Sequence, residues 1–156
     1  MKKTIKLLAL SMMLLVGFSF YSCSDDKDEA IEEINSSYDK LPAEAKKFIT
    51  EFFSYTLVTK VDMIDDDGEI LYEVDFEDGS EVVFNSEGIW QQVDAPEGKV
   101  IPDGIAPQAI VDYLNEYYAD YGITEINKTG YGYNVELITG LDLMFGPEGD
   151  FIGFNN

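Results

Sequence analysis

The sequence predicts an α+β fold of two tandem repeats, each one helix followed by a four-stranded antiparallel meander, with the helices on one face of the sheet. Two observations carry this reading. Tyr72, Val74 and Phe76 alternate with Glu73, Asp75 and Glu77, the period-two pattern of a half-buried strand, and Asp78-Gly79 follows as a two-residue hairpin turn. The stretch then recurs 61 positions later: Tyr133, Val135, Leu137, Gly140, Leu143, Phe145, Glu148 and Gly149 fall on Tyr72, Val74, Phe76, Gly79, Val82, Phe84, Glu87 and Gly88.

The first repeat, residues 41–94, opens at Leu41-Pro42, where proline pre-sets the first turn of a helix. Ala45, Phe48, Ile49, Phe52 and Phe53 then mark one apolar face of a helix over about residues 42–54. Strands are expected at 57–64, 69–77, 80–84 and 89–93, separated by Asp65-Asp66-Asp67-Gly68, Asp78-Gly79 and Asn85-Ser86-Glu87-Gly88. Residues 95–100 form a connector. The second repeat, 101–156, keeps the order: Pro107, Ile110, Tyr113, Leu114, Tyr117 and Tyr118 stand 65 positions after their counterparts, as do Ile123 and Ile126 after Val58 and Val61. The offset then drops to 61, a deletion confined to the turn between the first two strands. Units of this size bury too little surface to be comfortable alone. The two sheets therefore either join edge to edge or form one curved surface.

Composition removes several functions. The 156 residues include 31 Asp plus Glu against 10 Lys, with no Arg and no His, for a net charge of -21. Such a chain repels nucleic acid and anionic lipid. Without His and with one Cys, the usual catalytic triads, common zinc sites and a structural disulfide have no residues to build them. No cofactor is implied. The hydrophobic fraction of 46% is ample for a folded core.

Residues 1–22 read as a signal peptide: Lys2, Lys3 and Lys6 precede an apolar run, Leu7 to Phe20, too short for a comfortable span. Cys23, after Phe20-Tyr21-Ser22, resembles the acylated cysteine of a bacterial lipoprotein. Phe20 departs from the usual Leu, and an ordinary secreted protein with a stray thiol is the alternative. Removing residues 1–22 takes the charge from -21 to -24. Residues 23–40 form a tether whose acidic start, Ser24 to Glu29, resembles the signal that sends Bacteroidetes lipoproteins to the outer face of the outer membrane, against a periplasmic alternative. Contact with the membrane is through the lipid anchor only.

LPAEAKKFITEFF, TKVD, YEVDFEDGSEVVFNSEGIW and the second copy from IPDGIAPQAI to EGDFIGF resemble the PepSY-like family of lipoproteins that share the β-lactamase-inhibitor-protein fold, over about residues 41–155. The resemblance implies two helix-plus-four-strand repeats. It does not bring inhibition of a β-lactamase with it, because fold does not license function.

Three groups of residues invite a chemical reading. Asp65-Asp66-Asp67-Gly68-Glu69 fails as a calcium loop, since Met63 and Val74 stand where carboxylates are needed, and leaves room only for weak surface calcium binding. Glu73, Asp75 and Glu77 have a strand spacing compatible with a glycosidase pair, yet any solvated strand face looks the same. The third group is apolar residues on the face that should be wet: Val83 and Met144, joined by Trp90 and Phe151 if the last strand of each repeat keeps its parity. A bulge would reverse that parity and bury both aromatics.

The expected function is non-catalytic: an envelope lipoprotein that binds an unidentified protein or peptide, in the manner of an inhibitor, through the open face of its sheet, with Val83, Met144, Trp90 and Phe151 at the contact. An acidic cation-binding or structural envelope lipoprotein is the alternative. A carboxylate hydrolase is the remote one.

Overall fold

The computed structural model describes Ile34 and residues 37–66, 68–119 and 121–155. The expected signal peptide, Cys23, the acidic start of the expected tether (Ser24 to Glu29), Asp67, Asp120 and Asn156 lie outside the described residues.

Helix α1 (Ala43–Phe52) starts directly after Pro42, whose φ of -56° and ψ of 150° bring the chain in extended. It buries Ala45 and Ile49, with Phe53 buried just beyond its end. Four strands follow: β1 (Val58–Asp66), β2 (Glu69–Phe76), β3 (Glu81–Asn85) and β4 (Trp90–Asp94). Helix α2 (Gln108–Tyr117) enters from Pro107 in the same way and buries Ile110 and Leu114. Then come β5 (Ile123–Thr129), β6 (Gly132–Leu137), β7 (Asp142–Phe145) and β8 (Phe151–Phe154). Tyr117, expected on the apolar face of α2, is instead 60% exposed at its C-terminal end.

All eight strands form one antiparallel sheet in chain order, β1 to β8. Of the two arrangements open to the sequence, the edge-to-edge joining is the one found: Gln92, Val93 and Asp94 of β4 pair with Asn127, Ile126 and Glu125 of β5. The connector also fastens this joint, since Ile123 O accepts from Ile101 N at 2.9 Å and Thr124 O from Ala95 N at 2.8 Å. Ile101, Ile105 and Ala106 are buried, so the chain between the joined strands and α2 forms part of the core.

The turn at Asp78-Gly79 differs from the expected two-residue form. Phe76 N donates to Ser80 O and Gly79 N to Phe76 O, which makes Glu77-Asp78-Gly79 a three-residue loop with Gly79 at a φ of 89°. Leu137 to Leu141, Asn85 to Ile89 and Gly146 to Asp150 repeat this bonding. β1, in turn, runs past the expected end at Ile64: Asp66 pairs with Glu69, leaving only two residues between strands, and Asp65 Oδ1 accepts from Gly68 N at 2.8 Å.

A single apolar row crosses the whole sheet. Val61, Val74, Val82, Val93, Ile126, Val135, Leu143 and Phe154 are successive direct partners and therefore point to one side. Both helices cover that side. Phe48 of α1 meets Phe84 edge-on at 5.5 Å, and Tyr113 of α2 meets Phe145 edge-on at 5.4 Å. Each helix also rests on a hairpin: a Cβ at Gly88 would strike Ala45 N and Pro42, and one at Gly149 would strike Ala109 and Ile110.

Candidate functional site

Strand alternation puts the neighbours of the apolar row on the opposite, uncovered face. There the register aligns Asp75, Glu81, Asp94, Glu125, Glu136 and Asp142 as successive direct partners on β2 to β7, with Lys60 of β1 at one end. Six carboxylates thus stand in line across six strands about 4.8 Å apart. Like charges directly opposite one another destabilise a sheet. Beside this row runs a second: Asp62, Glu73, Val83, Gln92, Asn127, Asn134, Met144 and Gly153. Its centre is amides, and Asn127 Nδ2 donates to Glu125 Oε1 at 3.0 Å.

The crowding shifts protonation in one direction. Glu81 is pushed from 4.5 up to about 7, first by partial burial and then by Glu73, Asp75, Asp94 and Glu125. Burial also raises Asp94, with help from Glu136, and raises Glu125, where the Asn127 bond works against the shift. Glu136 and Glu73 rise for the same leading reason. Among the described residues the cation that relieves the row stands at its β1 end, where Lys60 Nζ pairs with Asp62 and lies 4.0 Å from Asp75.

Glu73, Asp75 and Glu81 form the tightest group, each offering an oxygen within 4.8 Å of the others. Two of them belong to the trio that suggested a glycosidase; the third member, Glu77, is exposed in the turn, its N–H bonded to Leu57 O. The row lines neither of the two grooves found among the described residues. Grooves of about 350 and 410 Å³ lie at the far end of α1, around Tyr55, Leu57, Glu77 and Asp78 and around Ile34, Tyr38, Phe53 and Val58.

The apolar candidates are divided between the faces. Val83 and Met144 are on the open face, half-buried in the amide row. Trp90 and Phe151 are not. Bulges place Trp90 opposite Phe84 and Phe151 opposite Phe145, so both rings turn to the helix side. Phe151 stacks on Tyr113 at 4.8 Å with 12° between the planes. Trp90 receives the Lys128 ammonium at 4.1 Å from its ring centroid and lies 6.3 Å from Tyr133. The expected aromatic platform on the wet face is therefore replaced by two half-buried packing residues, and acids take its place. The sequence pattern singles out none of Glu81, Asp94, Glu125 and Asp142, although each occupies an outward position next to an inward apolar residue, and Glu136 enters it only as the second-copy counterpart of Asp75.

The model of a family described as "Putative beta-lactamase-inhibitor-like, PepSY-like" matches residues 70–153. Three crystal structures are similar. A "putative periplasmic protein of unknown function" from Bacteroides vulgatus is 32% identical with a TM-score of 0.72, over 76% of this chain and 94% of that one. A second protein from that organism, described as a "putative periplasmic protein from DUF2874 family", is 28% identical with a TM-score of 0.71, over 76% and 92%. A "putative calcium-regulated periplasmic protein" from Bacteroides thetaiotaomicron is 30% identical with a TM-score of 0.71, over 76% and 92%. No curated protein matches. Among the described residues no helix is long and apolar enough to cross a membrane.

Proposed function

Because the chain belongs to the PepSY-like family, we propose that it is a non-catalytic envelope lipoprotein whose open sheet face binds a cationic stretch of a protein or peptide. The observation that carries this is the line of six carboxylates on directly paired residues. A sheet gains nothing from such a line in isolation, while a partner's Lys or Arg side chains laid across it relieve the repulsion and supply charge-assisted hydrogen bonds. Val83 and Met144 add apolar contact beside the acids. We further read the two units as a tandem duplication, supported by the matching pairs Tyr72 with Phe84 and Tyr133 with Phe145, 61 positions apart. Acylation at Cys23 and the acidic tether would place the module on the cell surface. The test is chemical-shift mapping with a Lys-rich peptide. Shifts should concentrate on Glu81, Asp94, Glu125, Glu136 and their open-face neighbours; shifts confined to the helix side would overturn the assignment.

A second reading, calcium binding, is favoured by the convergence of Glu73, Asp75 and Glu81 and by the calcium-regulated description of a relative. Calcium takes six to eight oxygens, so the acids would share the ion with water. Calorimetry decides it: saturable calcium binding that disappears in Glu81→Gln supports this reading, and silence removes it.

A further inference from the structure

β1 and β5 have the same construction. Each begins with a bulge, between Val58 and Lys60 on one and between Ile123 and Glu125 on the other. Thr59 Oγ1 donates to Asp75 O at 3.2 Å and Thr124 Oγ1 to Glu136 O at 3.3 Å. Leu57 O accepts from Glu77 N at 2.8 Å, and Gly122 O from Ile138 N at 2.9 Å. β4 and β8 correspond in the same way, through the bulges that set Trp90 on Phe84 and Phe151 on Phe145. β1 has nine residues against seven in β5, and the neighbours differ. β4 and β5 meet inside the sheet, whereas β8 and β1 are its two ends.

Among the described residues, what the internal joint covers the ends leave bare. Val93, at the joint, is fully buried, while Phe154 in the corresponding place on β8 is 48% exposed. Lys128 lies half-buried over the Trp90 ring, while Met63 in the corresponding place on β1 is 67% exposed. An open strand edge with bare apolar residues is a template for another strand.

We propose that β8 of one copy docks antiparallel on β1 of a second copy, reproducing between molecules the joint that β4 and β5 make within one. Carrying over the observed register sets Gly153 opposite Asp62, Phe154 opposite Val61 and Asn155 opposite Lys60, with Phe151 beside Met63. The helix side then pairs apolar with apolar, including a thioether against an aromatic ring. The open side is better matched than its internal counterpart: Asp94 faces Glu125 within the molecule, whereas Asn155 would face Lys60, the one cation of the row. Lys60 would thereby stand between the acidic row of one copy and that of the next. Asp65 and Asp66 guard the far end of β1, so the contact is confined to Lys60 through Met63. The two docking edges are different surfaces, so the contact is heterologous and does not close on itself; copies add in a line. Net negative charge opposes the approach, and salt screens it.

Sedimentation velocity on residues 24–156, which contain every described residue, tests this. The average mass should climb past that of a dimer as concentration rises, and more steeply when salt goes from about 0.15 M to about 1 M, where the screening length falls to about 3 Å. Met63→Asp and Phe154→Asp should each remain monomeric with an unchanged circular dichroism spectrum. Mixed, they should form a one-to-one heterodimer, because one keeps an intact β8 and the other an intact β1. A monomer at every concentration in high salt overturns the proposal, as does association that survives both substitutions or a mixture that stays monomeric.

Discussion

Glu81 on β3 and Asp94 on β4 are direct cross-strand partners, so two carboxylates meet in the middle of the sheet, flanked by Asp75 on one side and Glu125 on the other. The folded state holds a proton on Glu81 up to about pH 7, which the unfolded chain releases near 4.5. Stability from this group is complete below the unfolded value and is lost as pH rises through the folded one. Glu73, Asp94, Glu125 and Glu136 are shifted in the same direction. The melting temperature is therefore expected to be higher near pH ~5 than near pH ~8, and Glu81→Gln should raise it at the higher pH. A flat profile, or a lower melting temperature in the variant, contradicts the crowded row.

Phe151 lies flat on Tyr113, and Trp90 is packed beside the core with Lys128 over its ring. Truncating them should destabilise the fold rather than leave it untouched. Full burial of Phe76 and Leu137 sets the upper scale, with Phe76→Ala costing about 3 to 5 kcal/mol and Leu137→Ala about 2 to 5 kcal/mol. Phe151→Ala and Trp90→Ala, each only partly buried, should cost about 2 kcal/mol, measured by urea denaturation. Losses below about 0.5 kcal/mol, the scale of a neutral surface change, would return both rings to solvent.

The helices, the alternating strands and the order of elements were legible because each is a local pattern. Ala45, Ile49 and Phe53 mark a helix stripe by spacing alone, and Val74 and Phe76 mark a strand face. The parity of β4 and β8 was not legible. It depends on one extra residue at Gln91 and at Ile152, and nothing in either side chain demands a bulge there. The acidic row was hidden for a related reason. Asp75 and Glu136 are 61 positions apart, and only the register of six strands, including the long-range joint of Val93 with Ile126, brings the line together. β1 outruns its sequence signal because Asp65 and Asp66 carry turn chemistry yet sit in paired positions.

Gly88 and Gly149 adopt φ of 82° and 87° where a helix rests on a hairpin. Alanine at either place meets both the left-handed backbone and the helix start, Ala45 N at Gly88 and the Ala109 Cβ at Gly149. Each substitution should cost about 1 to 3 kcal/mol. Gly130→Ala, in a turn with open space around it, is the control and should cost less. Equal losses at all three would mean that the helix contact contributes nothing.

The proposed anchoring is tested apart from folding. Cys23→Ala is expected to leave the protein unacylated and soluble in cell fractions, while neutralising Asp25, Asp26, Asp28 and Glu29 should move it from protease-accessible to protease-shielded on intact cells. Unchanged accessibility in the second variant removes surface display and leaves the anchor standing.

The most direct test of the open face is calorimetric titration of residues 24–156 with a Lys-rich peptide. Binding should weaken steeply with salt, since exposed charges are screened beyond about 8 Å at physiological ionic strength. The triple variant Asp94→Asn, Glu125→Gln, Glu136→Gln should bind at least about tenfold more weakly, the equivalent of about 1.4 kcal/mol, while melting no lower than the parent. Undiminished affinity in that variant, or no heat of binding in the parent at low salt, would contradict a cation-binding role for the row.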